Sequence, residues 1–134
     1  MQKIIFFLVL VVFVFGMGCS GEKEASKSPD SKDSMVSLPE GPLTLSAGSD
    51  PEANSHNDEG ISHYKEGHYD VALKHFREAE KIQAKLGEIH FNVALALDKM
   101  GDHASATEHF KVAQQNASGN ALILGSKILL AHVQ

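Results

Sequence analysis

The chain has 134 residues, which is room for about one domain, and a net formal charge of −5. No basic patch interrupts this acidic balance, which argues against a nucleic-acid partner. The single cysteine, Cys19, excludes an intrachain disulfide and any zinc finger built on paired cysteines.

The N-terminus has the pattern of a secretory signal peptide. Lys3 gives a positive start, residues 4–15 are entirely apolar, and small residues precede Cys19. The apolar run is shorter than the roughly 20 residues of a membrane-spanning helix, so we predict a signal peptide over residues 1–18. An uncleaved anchor, or a signal that leaves a free thiol, stays open as the alternative.

The end of this segment is similar to a known processing motif. Gly18-Cys19 after the apolar run resembles the lipobox of bacterial lipoprotein precursors, although Gly16 stands where that family prefers Leu. The resemblance implies that Cys19 is acylated and that the mature chain is anchored by lipid in the cell envelope. The residue after Cys19 is Ser20 and not Asp. By the same resemblance, this favours anchoring at the periplasmic face of the outer membrane if the cell is Gram-negative.

Residues 19–53 have the composition of a disordered tether. Ser, Pro, Gly and charged residues dominate, and large apolar side chains are sparse. Such a segment cannot bury enough apolar surface to offset the entropy of ordering it. Two short apolar patches, at 35–38 and 43–45, are interpreted as incidental. The folded domain is therefore predicted to span residues 54–134.

From residue 54 onwards the sequence repeats itself with a period of 34 residues. The residues that recur at this offset are the pairs His56 and His90, Gly67 and Gly101, Ala72 and Ala106, His75 and His109, Phe76 and Phe110, and Ala79 and Ala113. This pattern resembles the tetratricopeptide repeat (TPR) family, in which each repeat of about 34 residues is a pair of antiparallel helices.

The resemblance assigns packing roles to ten residues. Gly67 and Gly101 are expected in the turns, where a left-handed backbone favours glycine. Gly60 is expected to face Ala72 and allow a close approach of the two helices, and Phe76 is expected to fill the space between one pair and the next. The complete set is Gly60, Gly67, Ala72, Phe76, Ala79, Ala94, Gly101, Ala106, Phe110 and Ala113.

The predicted fold class is all-α. It consists of two tetratricopeptide-type helical hairpins plus a C-terminal capping helix, arranged as a short right-handed α-solenoid. The helices are expected at 54–66, 68–82, 87–100, 103–117 and 120–133, with Asn120 or Ser118 as the N-cap of the last one. This last helix is more apolar than a free cap should be, which makes it a candidate contact surface for a partner or a second copy.

The family's concave groove gives the candidate binding site. The groove positions that the resemblance implies are Asn57, Ile61, Tyr64, Glu88, Phe91, Leu95 and Asp98. An apolar floor of Ile61, Phe91 and Leu95 is expected to accept an amphipathic or extended segment of another protein. The alternative is that some of these residues pack against the C-terminal helix.

Neither a metal site nor a catalytic site is predicted. The chain has eight histidines, but none forms an i,i+4 pair and no HExxH motif is present. His75 and His109 recur at one repeat position, which is typical of structural residues. No nucleophile is paired with a recognisable base, and no cofactor motif is found.

These patterns together predict a membrane-anchored adaptor or scaffold of the bacterial cell envelope, not an enzyme. Its expected partner is another protein component of an envelope complex. Two other classes stay open, namely a small ligand- or metal-binding envelope protein and a self-assembling structural lipoprotein that forms homo-oligomers.

Overall fold

The computed structural model of the chain describes residues 40–134. The predictions for the signal peptide, for Cys19 and for the tether up to residue 39 lie outside the described residues. Within residues 40–134 the secondary structure is entirely α-helical, which confirms the predicted all-α class. The helices are α1 (Pro51–Lys65), α2 (Tyr69–Ile82), α3 (Gly87–Lys99), α4 (His103–Gln115), α5 (Ala121–Leu124) and α6 (Lys127–Val133).

The first two helices run antiparallel. At one end, the Tyr64 and Tyr69 rings meet edge to face with their centroids 5.1 Å apart. At the other end, the backbone N–H of Asp50 donates to Gln83 Oε1 at 2.8 Å. Gly67, in the turn between them, has a φ of +84°, a conformation that costs little only for glycine. This is the backbone conformation that the repeat pattern predicts at this position.

The closest approach of α1 and α2 joins Gly60 to Phe76. A Cβ atom at residue 60 would lie 2.5 Å from Phe76 Cε1, well inside van der Waals contact. Phe76 is completely buried, so its ring occupies the space that the missing side chain of Gly60 leaves. The sequence-based expectation put Ala72 opposite Gly60, but the nearest atoms are those of the Phe76 ring.

The third and fourth helices also run antiparallel. His103 Nδ1 and Asp98 Oδ1 are hydrogen-bonded at 2.9 Å where α3 ends and α4 begins. At the opposite end, a Cβ on Gly87 would lie only 2.8 Å from the carbonyl oxygen of Asn116. Gly101 in the turn has a φ of +85°, matching Gly67. Between the two ends, the Phe91 and Phe110 rings are 5.7 Å apart.

Helix α3 is the centre of the described structure. Every residue from Gly87 to Leu97 is buried, and α2, α4 and α5 all contact this helix. The segment Ile89–Leu97 is apolar apart from Asn92 and His90, and a helix that is apolar on all sides is expected in a core. The two polar residues of this segment must therefore find partners inside the protein.

The first helix begins three residues before the predicted position. Pro51 occupies the first turn, and the Asp50 carboxylate accepts the backbone N–H groups of Glu52 and Ala53. An Asp cap followed by Pro at the first helical position is a favourable helix start. The boundary predicted at residue 54 is too late because Asp50 and Pro51 were attributed to the tether on composition alone.

The C-terminal segment is two short helices, so the prediction of one helix over 120–133 is wrong. The chain leaves helical geometry at Ser126, which has a ψ of 125°. Asn120, one of the two predicted N-cap candidates, caps α5, and Ser126 Oγ caps α6 by accepting the N–H of Leu129. The break lets α6 pack on α4 with Leu129 fully buried. Among the described helices, none combines the length and apolar character needed to cross a membrane.

Candidate functional site

The predicted groove is not an open surface. Ile61, Phe91 and Leu95, its expected apolar floor, are all buried within the main hydrophobic core. Asn57 is completely buried as well. The prediction of an exposed apolar floor is therefore wrong for residues 40–134 as they stand, because other parts of the same chain cover these side chains.

A segment that composition assigned to the tether provides part of this cover. Leu43 belongs to the hydrophobic core and is only 7% exposed, and Leu45 packs against the same core. The tether predicted to reach residue 53 is corrected here, since the chain from residue 40 onwards makes specific contacts with the helices. The apolar patch at 43–45, interpreted above as incidental, is one of the anchors of this segment.

Two buried asparagines hold the backbone of Leu43. Asn92 Oδ1 accepts the N–H of Leu43 at 2.7 Å, and Asn92 Nδ2 donates to the carbonyl oxygen of Leu43 at 2.7 Å. Asn57 Nδ2 donates to the same carbonyl oxygen at 3.0 Å. We call Asn57 and Asn92 the asparagine clamp. It satisfies both backbone polar groups of a buried residue, as burial requires.

The two clamp residues also orient one another. Asn92 Nδ2 donates to Asn57 Oδ1 at 2.7 Å, which fixes how the two amides point. The three hydrogen bonds to residue 43 all involve its main chain, so the clamp recognises a non-helical backbone rather than a particular side chain. Selectivity is left to the apolar pocket that receives the Leu43 side chain.

Glu40, the first described residue, is hydrogen-bonded to the start of α6. The Glu40 carboxylate accepts hydrogen bonds from Ser126 Oγ at 3.2 Å and from the N–H of Lys127 at 2.9 Å. Residues 40–50 thus run from the first turn of α6, past the asparagine clamp on α1 and α3, to the cap of α1. We call this stretch the N-terminal strap.

The remaining predicted groove residues have partners of their own. Glu88 is buried and accepts a hydrogen bond from Asn120 Nδ2 at 2.9 Å. Tyr64 lies half-buried against the core, and this burial, reinforced by Tyr69 and Asp98, raises the pKa of the Tyr64 phenol to about 12. Asp98 is engaged with histidines at the end of α3.

All eight histidines lie in small groups that sequence inspection did not bring together. Each group joins two histidines with one carboxylate whose ligand atoms lie within 4.8 Å of one another. The four groups are His56, Glu59 and His75; His63, Glu66 and His68; Glu80, His90 and His109; and Asp98, His103 and His132. Most of them join residues from different helices, which spacing along one helix cannot reveal.

The group with the most buried side chains is Glu80, His90 and His109, contributed by α2, α3 and α4. Glu80 Oε1 lies 3.1 Å from His90 Nδ1 and 3.7 Å from His109 Nδ1. The hydrogen bond to Glu80 raises the pKa of His90, whereas burial lowers the pKa of His109. The hydrogen bond to His90 in turn lowers the pKa of Glu80.

Comparisons with protein-family models, with curated proteins and with solved structures give no match to this chain. Two arrangements stand out in the described part of the chain, namely the asparagine clamp with its N-terminal strap and the carboxylate–histidine group across α2, α3 and α4. The site residues predicted from the sequence include Asn57 of the clamp but not Asn92. The signal that could have indicated Asn92 is its polar amide within the otherwise apolar run of α3.

Proposed function

We propose that the chain is a protein–protein interaction module of the tetratricopeptide type, carried by a bacterial lipoprotein as an adaptor in the cell envelope. The 34-residue repeat supports the family assignment, together with two antiparallel helix pairs that each turn on a glycine with positive φ. The proposal assigns the chain no catalytic step.

The observation that carries the proposal is the asparagine clamp. It holds one residue of a non-helical segment by both backbone polar groups, and the side chain of that residue lies in the apolar core. A segment of another protein with a similar apolar residue offers the same N–H, the same carbonyl oxygen and the same side chain. The clamp is therefore suited to an extended partner segment that replaces the N-terminal strap.

The strap sets the conditions for such an exchange. Because it belongs to the same chain, it competes at an effective concentration on the order of millimolar. A partner must therefore fit the clamp better than residues 40–48 do, or bind when the strap has been released. We infer that the strap keeps the groove closed until a partner of matching sequence is present.

A peptide exchange experiment tests this function. The bait is the full chain with Leu43→Ala, which weakens the strap, compared with the wild-type chain. Fluorescent peptides corresponding to residues 40–48, with Leu or with Asp at position 43, are the probes. We expect the Leu peptide to bind the Leu43→Ala chain at least about tenfold more tightly than the wild-type chain. The Asp peptide should bind neither chain.

Capture from envelope membranes then tests for a partner. Proteins retained by the Leu43→Ala chain are eluted with the Leu peptide and, as the matched control, with the Asp peptide. A protein released only by the Leu peptide supports an adaptor that works through the clamp. Equal release by both peptides, or retention of nothing except the chain itself, would contradict it and favour self-assembly.

The lipid anchor is a separate part of the proposal with its own test. The lipobox-like sequence ending at Cys19 is its only support. Mass spectrometry of the N-terminal fragment from wild-type cells should find acyl chains on Cys19. The Cys19→Ser chain should lack them and leave the membrane fraction. An unmodified, uncleaved N-terminus in wild-type cells would contradict lipid anchoring while leaving the peptide-binding experiments unaffected.

A further inference from the structure

We infer that Glu80, His90 and His109 form a binding site for a divalent transition-metal ion of the zinc class. The sequence analysis predicted no metal site, and this inference revises it. It does not depend on the proposed adaptor function, since the two sites share no residue.

The spacing of the three ligand atoms fits a tetrahedral metal ion. The separations of Glu80 Oε1, His90 Nδ1 and His109 Nδ1 are 3.1, 3.4 and 3.7 Å. With metal–ligand bonds of about 2.0–2.1 Å, neighbouring ligands of a tetrahedron lie about 3.3–3.4 Å apart. The three atoms thus form one face of such a tetrahedron with shifts of only a few tenths of an ångström.

The hydrogen bond behind His90 directs the correct nitrogen towards the site. His90 Nε2 lies 2.7 Å from the carbonyl oxygen of Ala84, and a carbonyl can only accept, so Nε2 carries a proton. The Nδ1 proton, which His90 donates to Glu80, is the one that a metal ion would displace, and the Nδ1 lone pair then faces Glu80 and His109. A ligating histidine whose other N–H donates to a backbone carbonyl is the usual arrangement around protein-bound zinc.

Burial separates this group from the other three. The side chains of Glu80, His90 and His109 are 21%, 9% and 21% exposed. Each of the other groups includes a side chain that is more than half exposed, such as Glu59, His68 or His103. A partly buried group loses less to competing water and to side-chain entropy when it binds an ion.

The fourth coordination position faces solvent. Glu80, His90 and His109 line a shallow pocket of about 250 Å³ together with Glu108 and Val112. Three protein ligands and one open position leave room for a water molecule or for an incoming ligand atom. Because the protein ligands come from α2, α3 and α4, a bound ion would tie the two helix pairs together.

Zinc binding by the full chain, produced without an oligohistidine tag, tests the site. We expect one Zn²⁺ per chain by calorimetry and a rise in Tm of roughly 10–20 °C at 100 times Kd. Co²⁺ in place of Zn²⁺ should give the intense visible absorption of a four-coordinate ion. The absence of a zinc-dependent Tm shift in the wild-type chain would overturn the inference.

Two substitutions and a matched control locate the ion. Glu80→Gln keeps the shape of the side chain but removes its charge, and His109→Gln provides an independent variant should the first misfold. Each should weaken zinc binding at least about 100-fold, more than the loss of a supporting hydrogen bond causes. Glu59→Gln, which alters a different carboxylate–histidine group, should leave it unchanged. An equal loss with Glu59→Gln would mean that surface histidines bind the ion adventitiously and would overturn the assignment.

Discussion

Removing the Asn92 side chain is the most direct test of how the N-terminal strap is held. The substitution Asn92→Ala deletes a donor and an acceptor that together make three hydrogen bonds of 2.7 Å. The carbonyl oxygen of Leu43 retains Asn57 Nδ2 as a donor, but two groups lose the only partner that residues 40–134 give them. These are the N–H of Leu43 and Oδ1 of Asn57.

The expected loss of stability follows from those two groups. A buried polar group left without a partner costs about 1–3 kcal/mol, so the free energy of unfolding should fall by about 2–6 kcal/mol. That is a large share of the roughly 5–15 kcal/mol that stabilises a typical domain. If the strap detaches to hydrate these groups, the loss is limited to the free energy with which the strap docks, and the Leu43 amide loses its protection from hydrogen exchange.

Urea denaturation followed by helical circular dichroism measures the effect, and hydrogen exchange at Leu43 reports on the strap. Asn54→Ala is the matched control, because the partly buried Asn54 side chain makes one long hydrogen bond within residues 40–134, from Nδ2 to the carbonyl oxygen of Ser49 at 3.3 Å. Its cost should stay below about 1 kcal/mol. A loss below 1 kcal/mol for Asn92→Ala, with Leu43 still protected, would refute the reasoning about the clamp.

Three further predictions concern packing, ionisation and capping. Gly60→Ala should lower the free energy of unfolding, measured by urea denaturation, by about 1–2 kcal/mol, because overpacking against Phe76 outweighs the gain in helix propensity. In a chain that already carries Phe76→Leu, adding Gly60→Ala should cost nothing. The difference in tyrosinate absorbance between wild type and Tyr64→Phe should have its midpoint near pH 12, the raised pKa of Tyr64. The free energy of unfolding should fall as pH rises from about 10, because the phenol ionises there in the unfolded chain but not in the folded one. A midpoint near pH 10 would contradict the burial of Tyr64. Ser126→Ala should cost about 1–3 kcal/mol, because it removes both the cap of α6 and the hydrogen bond that Ser126 Oγ donates to Glu40, against no change for the exposed Ser118→Ala.

The helices could be predicted largely from the repeat pattern. The expected spans 68–82, 87–100 and 103–117 agree within two residues with α2, α3 and α4, because glycines with positive φ close both turns and apolar residues recur at helical spacing. These signals are local, and each one acts within a single turn or a single helix face. The break between α5 and α6 was not predicted because the residues on both sides of Gly125 and Ser126 are apolar, a pattern typical of one continuous helix.

The N-terminal strap could not be predicted because its composition resembles that of a disordered segment. Leu43 and Leu45 are the two residues of the N-terminal strap whose apolar side chains pack in or against the core, and most of the other residues are small or polar. Its order depends on partners distant in sequence, such as Asn92, which lies 49 residues away, and Ser126, which lies 86 residues beyond Glu40. A composition argument weighs a segment alone and therefore cannot include contacts that only the folded helices provide.

The polar residues within the apolar run of α3 are a sequence signal for both candidate sites. His90 and Asn92 are the polar residues within the apolar run from Ile89 to Leu97, and a buried polar group requires a partner. Two residues apart on a helix, they point to nearly opposite sides, about 160° apart, so they must meet different neighbours. Asn92 meets the strap, and His90 meets Glu80 and His109. One buried helix thus supplies a residue to each of the two candidate sites, and an interrupted apolar run marks both.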